Sequence, residues 1–331
     1  MGKCIHTHLT IYPPLIMEDQ LKVIIRCLVY NHEPYLRDCL EGFVMQQTNF
    51  PFKAVVHDDA STDNSAAIIR EYAEKYPHII EPIYETENQY SKHDGSLGRI
   101  MNAATLGRSP YIAYCEGDDY WIDPLKLQKQ VDFLDANPDY TMCFSACKII
   151  KEDERLQTNL QGEKIVDKDY NVSEVFPIWI VPTASICIRE LVANDDRITR
   201  YDKRKLHGDI IIILTAAHRG KIRGMKDVMI VYRVHSSSVT QNQDSTLRSE
   251  KKCFQQYDFM KENFPLINPI RLKEAQFISQ KNIISNTRFS VAKKLVAYLR
   301  AFLIWPDRTI FVTWQSIKKK IKSLFSSYRE E

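Results

Sequence analysis

Three carboxylates fall within four residues at Glu116-Gly117-Asp118-Asp119, directly after the apolar run Tyr111–Cys115. Carboxylates this close repel one another unless they bind a cation or stand freely in water. An oxygen-rich cluster of this kind suits Mg2+ or Mn2+, held by one or two carboxylates with water and substrate phosphates completing the shell. A solvated turn is the bland alternative. The apolar strand before the cluster and the aromatic Tyr120-Trp121 after it favour a site. Two further apolar runs end in polar residues, Lys22–Val29 in Tyr30-Asn31 and Phe52–His57 in Asp58-Asp59. A single acid at a strand end is ordinarily a helix cap or a turn, and Asp63 is read as a cap for the helix that follows it. Three polar strand ends together point to one edge of a sheet, where open α/β proteins bind ligands. The chain has no GxGxxG or GxxxxGK[ST] loop, which weighs against a dehydrogenase or a P-loop enzyme.

Those ends converge only if the runs are largely parallel strands joined by helices, and the pattern supports this. Asn31-His32-Glu33-Pro34 opens a helix through about Gln47, and 65–75, 97–106 and 124–136 read as helices between strands at 79–84, 111–115 and 140–150. Farther on, 183–188 and 228–234 read as strands, 156–172 as a polar connection and 208–218 as a strongly apolar helix. A cluster of Ser, Thr, Gln and Asn at 239–247 marks a soft boundary. The expected organisation is an N-terminal extension (1–20), an α/β domain (21–240) and a helical C-terminal region (241–331).

With 331 residues and 44% hydrophobic content, the chain can bury a large core, which excludes disorder and fibrous structure as whole-chain readings. The net charge of +3 hides an asymmetry: 291–331 carries nine basic and three acidic residues, leaving the rest at −3. The eight cysteines include no CxxC pair and lack the density of a secreted scaffold, so they are read as reduced core residues. No signal peptide and no run of 18 apolar residues is read, so the expected location is cytoplasmic, and Asn171-Val172-Ser173 is taken as a chance sequon.

The runs Val23–Asn31, Val55–Asp63 and Tyr111–Pro124, with Lys126-Leu127-Gln128-Lys129-Gln130, together resemble the family 2 glycosyltransferases of GT-A fold. The similarity continues through Pro182-Thr183-Ala184-Ser185, His207-Gly208-Asp209 and Val231–His235, and covers roughly 22–239. The resemblance implies a mostly parallel, Rossmann-like sheet flanked by helices, with a helical C-terminal extension. It also implies inverting transfer of a sugar from a nucleotide diphosphate sugar, usually a UDP-sugar, to an acceptor hydroxyl in glycan or polysaccharide biosynthesis. Carried onto this chain, Val29, Tyr30 and Glu33 line the nucleotide pocket, Asp59 accepts a hydrogen bond from the base, and Asn102 lies near the donor. Asp118 and Asp119 match the DxD-like element that holds a divalent metal, although Glu116 stands where the first acid of that element is usual. Asp209 matches the general base that takes the acceptor's proton, its bland reading being a helix N-terminal acid. Arg233 and His235 match the later donor region as diphosphate or metal contacts, a turn being the alternative. Trp121 either stacks on the donor or packs beneath the site, and Thr183 and Ser185 face the acceptor.

From Ile310 to Tyr328 apolar residues recur at steps of four and three, with Lys318, Lys319, Lys320 and Lys322 off the stripe. Such a basic amphipathic helix either lies on an anionic membrane or packs on protein. The first alternative suits a lipid-linked glycan acceptor and a peripheral place at the inner face of the cell membrane. Two competing readings remain. One is a sugar-phosphate nucleotidyltransferase, whose Gly-rich basic loop after the first strand is missing here. The other is a silent nucleotide-sugar-binding module, against which the retained acids speak. Nucleic-acid binding has no support.

Overall fold

The first strand, β1 (Val23–Val29), buries both of its faces, so helices must cover the sheet on two sides. The computed structural model describes residues 21–202, 208–238, 257–285 and 290–312. After β1 the chain runs through α1 (Leu36–Val44), β2 (Phe52–Asp58), α2 (Ser65–Lys75), β3 (Ile80–Tyr84), α3 (Gln89–Lys92), α4 (Ser96–Thr105) and β4 (Tyr111–Tyr114). A short β5 (Tyr120–Trp121) precedes α5 (Lys126–Ala136), β6 (Tyr140–Lys151), β7 (Lys168–Tyr170), α6 (Val172–Val175) and β8 (Cys187–Arg189). Then follow α7 (Glu190–Ala193), α8 (Asp196–Asp202), α9 (Gly208–Arg219), β9 (Lys221–Val234), α10 (257–263), α11 (Pro269–Ser285) and α12 (Val291–Ile304).

The described strands form one nine-stranded sheet in the order β3-β2-β1-β4-β8-β6-β9-β5, with β7 also on β9. The parallel arrangement expected from the sequence holds through β3-β2-β1-β4. Beyond β4 the sheet is mixed, because β8 runs antiparallel to both β4 and β6. The chain moves outward from β1 to β3 and then returns to place β4 on the other side of β1. Strand order therefore reverses between β1 and β4, which opens a ligand crevice at their carboxyl ends. Val23, Ile25, Cys27 and Val29 face α1, α2 and α5 in one core, while Ile24 and Val55 pack under Met101 of α4 on the other face.

The 183–188 run is a 3-10 turn (Thr183–Ser185) followed by the shorter β8. β9 begins seven residues before the expected 228, through a polar stretch that gains its register only by pairing with β6 and β7. The boundary at 239–247 and most of the expected basic helix at 310–328 lie outside the described residues. Phe259, Met260, Phe264 and Leu272 of the C-terminal region share a core with Ile211 and Leu214 of α9, so this region packs directly on the α/β body.

Lys126 opens α5 with no exposed surface. Its Nζ donates to Gln130 Oε1 at 2.8 Å and stands 4.0 Å from the centroid of the Trp121 ring. Burial pushes this ammonium down to about 8. An unfolded lysine titrates near ~10.4, so between these values the unfolded chain keeps a proton that the fold has lost, and this residue's contribution makes stability rise with pH. Urea unfolding should show a gain between pH 7.5 and pH 10 that is larger in the wild type than in Lys126→Met, by about 1–3 kcal/mol. Equal gains in both proteins would contradict it.

Candidate active site

The loop after β1 is fastened to the loop after β2. Asn31 adopts φ 56°, in the left-handed region that asparagine tolerates, and its Oδ1 accepts the Thr62 N–H at 2.7 Å. The Asn31 and His32 amides donate to Ser61 Oγ and Ser65 Oγ at 2.9 and 3.0 Å. Glu33 N–H donates to Asp63 at 3.0 Å, while the Glu33 carboxylate accepts from the Asn64 amide and side chain at 3.1 and 2.7 Å. Glu33, expected in the nucleotide pocket, is thus one half of a reciprocal latch. The N-cap of α2 is Asn64 rather than Asp63, and Asp63 Oδ1 accepts the Ser65 N–H at 2.9 Å from one residue before that cap.

Asp59 is 4% exposed, and its two carboxylate oxygens accept the Gln89 and Tyr90 amides at 2.6 and 3.0 Å. It organises the turn into α3. Only the lone pairs left over are available to a base. Val29 is buried at the end of β1, whereas Tyr30 is 45% exposed. Asn102 is half-buried on α4.

The acidic turn is seated against β1. Gly117 N–H donates to Leu28 O at 2.9 Å. A Cβ at Gly117 would lie 2.7 Å from His32 Nδ1 and 2.9 Å from Val29 Cγ2, so glycine is required by close approach. Asp118 Oδ2 meets His235 Nε2 at 3.0 Å, His235 Nδ1 meets Ser237 Oγ at 2.9 Å, and the Tyr35 ring lies 4.5 Å from the imidazole. Burial pushes the Asp118 carboxyl up, but the His235 hydrogen bond and the fields of His32 and His235 outweigh it and hold the carboxyl below its ordinary value. Glu116 is open to solvent, yet crowding by protein, together with the charges of Asp118 and Asp209, pushes it up to about 8. Asp209, in the first turn of α9, therefore lies on the same side as the acidic turn, although it is distant in sequence.

Two residues expected at the donor serve the scaffold instead. Arg233 gives its backbone N–H to Asp119 Oδ1 at 2.9 Å and its guanidinium to Asp118 O at 3.0 Å and to Asp38. Its guanidinium also covers the Tyr120 ring at 4.3 Å. These partners leave it as a clamp on the acidic turn. Trp121 is 1% exposed, donates its indole N–H to Ala184 O at 2.9 Å and meets Phe43 edge-on, so of its two readings packing is the one realised. Asp119 is 2% exposed and bound to β9, which does not fit the metal role expected of it. Ser185 is fully buried with its hydroxyl on Pro182 O at 2.7 Å, so it does not face an acceptor. Thr183 is half-buried.

The sequence reading gave no role to His32 or Tyr90. His32 Nδ1 is buried without a hydrogen-bond partner beside Gly117; burial lowers its basicity, as does His235, against the raising fields of Asp118 and Asp63. Crowding and the charge of Glu116 raise the Tyr90 phenol, which places it by the acidic turn. The position of His32 directly after β1 was the available signal. Among the described residues, no three His, Cys, Asp or Glu side chains are gathered to hold a metal ion.

A mixed sheet whose parallel half reverses its strand order at β1/β4, with an acidic turn at that point, defines a GT-A-type fold. Residues 25–189 match the model of glycosyl transferase family 2, and the chain belongs to that family. An uncharacterized protein of Mycobacterium tuberculosis is 34% identical over 210 residues, covering 63% of this chain and 58% of the relative's length. The putative glycosyltransferase EpsE of Bacillus subtilis is 30% identical over 136 residues, covering 41% of this chain and 46% of EpsE. Residues 1–349 of S. aureus TarS share the fold with a TM-score of 0.61 at 17% identity, over 87% of this chain and 82% of that one. A mannosyltransferase from Pyrobaculum calidifontis, solved with GDP-Man and Mn2+, aligns with a TM-score of 0.50 at 18% identity, over 89% and 80%.

Gly117→Ala should lower unfolding stability by about 1–3 kcal/mol, because the added methyl meets buried atoms of Val29 in β1 and of His32 in the loop after it. The readout is a lower urea midpoint at unchanged slope. A neutral result would show that the turn is not seated on β1.

Proposed function

We propose that this protein transfers a sugar from a nucleoside diphosphate sugar, with UDP the favoured carrier, to an acceptor hydroxyl with inversion at the anomeric carbon. The observation that carries this reading is the pairing of Asp118 with His235 on the same side as Asp209, at the switch point of the sheet. Family membership supports it. So do the S. aureus TarS structures in complex with UDP and UDP-GlcNAc, whose fold this chain shares.

In this reading the acceptor oxygen attacks the anomeric carbon on the face opposite the diphosphate. The new carbon–oxygen bond forms as the bond to the diphosphate breaks, and the leaving group departs with the electron pair. Asp209 takes the acceptor's proton as that bond forms, which keeps the attacking oxygen neutral after transfer. The Asn31–Thr62 and Glu33–Asn64 bonds fix the two loops that would flank the nucleoside. Tyr30, exposed beside them, supplies a surface for it.

A divalent ion such as Mn2+ or Mg2+ fits this donor set in part. Asp118 Oδ2 and His235 Nε2 converge to 3.0 Å, and Ser237 orients the imidazole from its other nitrogen. Two protein donors suffice for an ion that shares its shell with phosphate oxygens and water. When bound, it would supply positive charge to the leaving diphosphate. The acceptor class we favour is a glycan or lipid-linked glycan, and the transferred unit a hexose or an N-acetylhexosamine.

The test is release of the nucleoside diphosphate from a panel of nucleotide sugars, with Mn2+ or Mg2+ and a true acceptor. Asp209→Asn should lower kcat by about 10^2–10^4-fold while nucleotide binding is retained. Asp118→Ala should weaken nucleotide binding itself. Full turnover in Asp209→Asn would sink this mechanism.

A further inference from the structure

His32 is fixed at its backbone and unpaired at its side chain. Its N–H donates to Ser65 Oγ at 3.0 Å, and its carbonyl accepts the Tyr35 and Leu36 amides at 2.9 Å each, where the chain turns into α1. The imidazole is thereby set against the acidic turn, with Nδ1 2.7 Å from the point a Cβ on Gly117 would occupy. Nδ1 is shut off from water and has no hydrogen-bond partner. Buried polar atoms are ordinarily paired. An apolar side chain would fill the same space without leaving a polar atom unmatched, so packing alone does not account for a histidine here.

The two ring nitrogens have different surroundings. Gly117 can offer Nδ1 only C–H groups, which meet a lone pair better than they meet an N–H. A proton on Nδ1 would be a buried donor with no acceptor, so the ring's proton belongs on Nε2. Nε2 is not shut off from water, and among the described residues it has no hydrogen-bond partner. With Nδ1 turned toward the end of β1, Nε2 faces the crevice at the carboxyl ends of β1 and β4. Asp118 and His235 meet in that crevice, and the charges of both act on the His32 ring. A fixed N–H there, with no protein acceptor, is matched by a ligand that brings an acceptor. An anionic oxygen forms the strongest such bond, and phosphate presents several.

Building on the nucleoside diphosphate reading above, we propose that His32 is a nucleotide-binding residue, its Nε2–H donating to an oxygen of the diphosphate beside Asp118. The contact needs no metal. A divalent ion would act on the phosphates through Asp118 and His235, whereas His32 reaches them directly. Negative charge grows on the departing phosphate as its bond to the sugar breaks, and an N–H already in place gains strength with it.

The experiment is calorimetric titration of UDP, GDP and TDP into the wild type, His32→Gln, His32→Asn and His32→Ala, each with Mn2+ and with a chelator. A glutamine amide can place an N–H near the position of Nε2, an asparagine amide only near that of Nδ1. His32→Ala and His32→Asn should weaken nucleoside diphosphate binding by about tenfold or more, and His32→Gln should restore most of it. The loss should be of similar size with Mn2+ and with the chelator. Circular dichroism and thermal melting establish that each variant is folded, and if His32→Ala is not, the comparison of glutamine with asparagine decides. Unchanged affinity in the folded variants, equal losses in His32→Gln and His32→Asn, or a loss confined to the Mn2+ arm would each overturn the proposal and leave the nucleoside diphosphate reading standing, the last by making His32 a metal ligand. A wild type that binds none of the three nucleotides would overturn both.

Discussion

A buried carboxylate that accepts a backbone N–H from a strand far along the chain is costly to disturb, because either partner left alone would be an unpaired polar group away from water. Asp119 and Arg233 form that bond here, and through it the turn after β4 is pinned to β9. From the other side, Gly117 allows the same turn to sit against β1. The turn is therefore fixed between two strands on opposite sides of the switch point. Asp118, carried on that turn, meets His235, the residue next to the end of β9.

The supporting layer extends outward by the same logic. Arg233 binds the Asp118 carbonyl and stacks on Tyr120, so the clamp and the clamped turn hold each other. Beneath them Trp121, Lys126 and Gln130 form a buried polar chain that ends on the Ala184 and Ser185 carbonyls. This chain links the floor of the site to the 3-10 turn before β8. Burial makes the Lys126 ammonium easier to deprotonate than an exposed lysine, as expected of a floor from which water is kept out.

Much of this was legible in the sequence. The alternation of apolar runs with helical ones foreshadowed the parallel half of the sheet, and the acids after β2 and β4 pointed to the edge at which the proposed site lies. What residue type and position did not reveal was direction. Asp59, Glu33 and Arg233 stand where ligand contacts are expected, yet each spends hydrogen-bonding capacity on another segment of the chain, at partners such as Gln89 of α3, Asn64 and Asp38 of α1. Those pairings depend on tertiary closeness between segments that are remote in sequence. β5 and β7 were missed for the same reason, since two- and three-residue strands exist only through their pairing with β9. His32 was passed over because its importance comes from a neighbour without a side chain, Gly117.

The central claim is that Asp118 and His235 act together as the protein's share of a diphosphate-and-metal site. Titration of UDP into the wild type and His235→Ala, each with Mn2+ and with a chelator, addresses it most directly. The account predicts that removing Mn2+ weakens UDP binding by at least about tenfold in the wild type and changes it little in His235→Ala. Equal UDP affinity with and without Mn2+ in the wild type, or an unaltered Mn2+ dependence in His235→Ala, would contradict it.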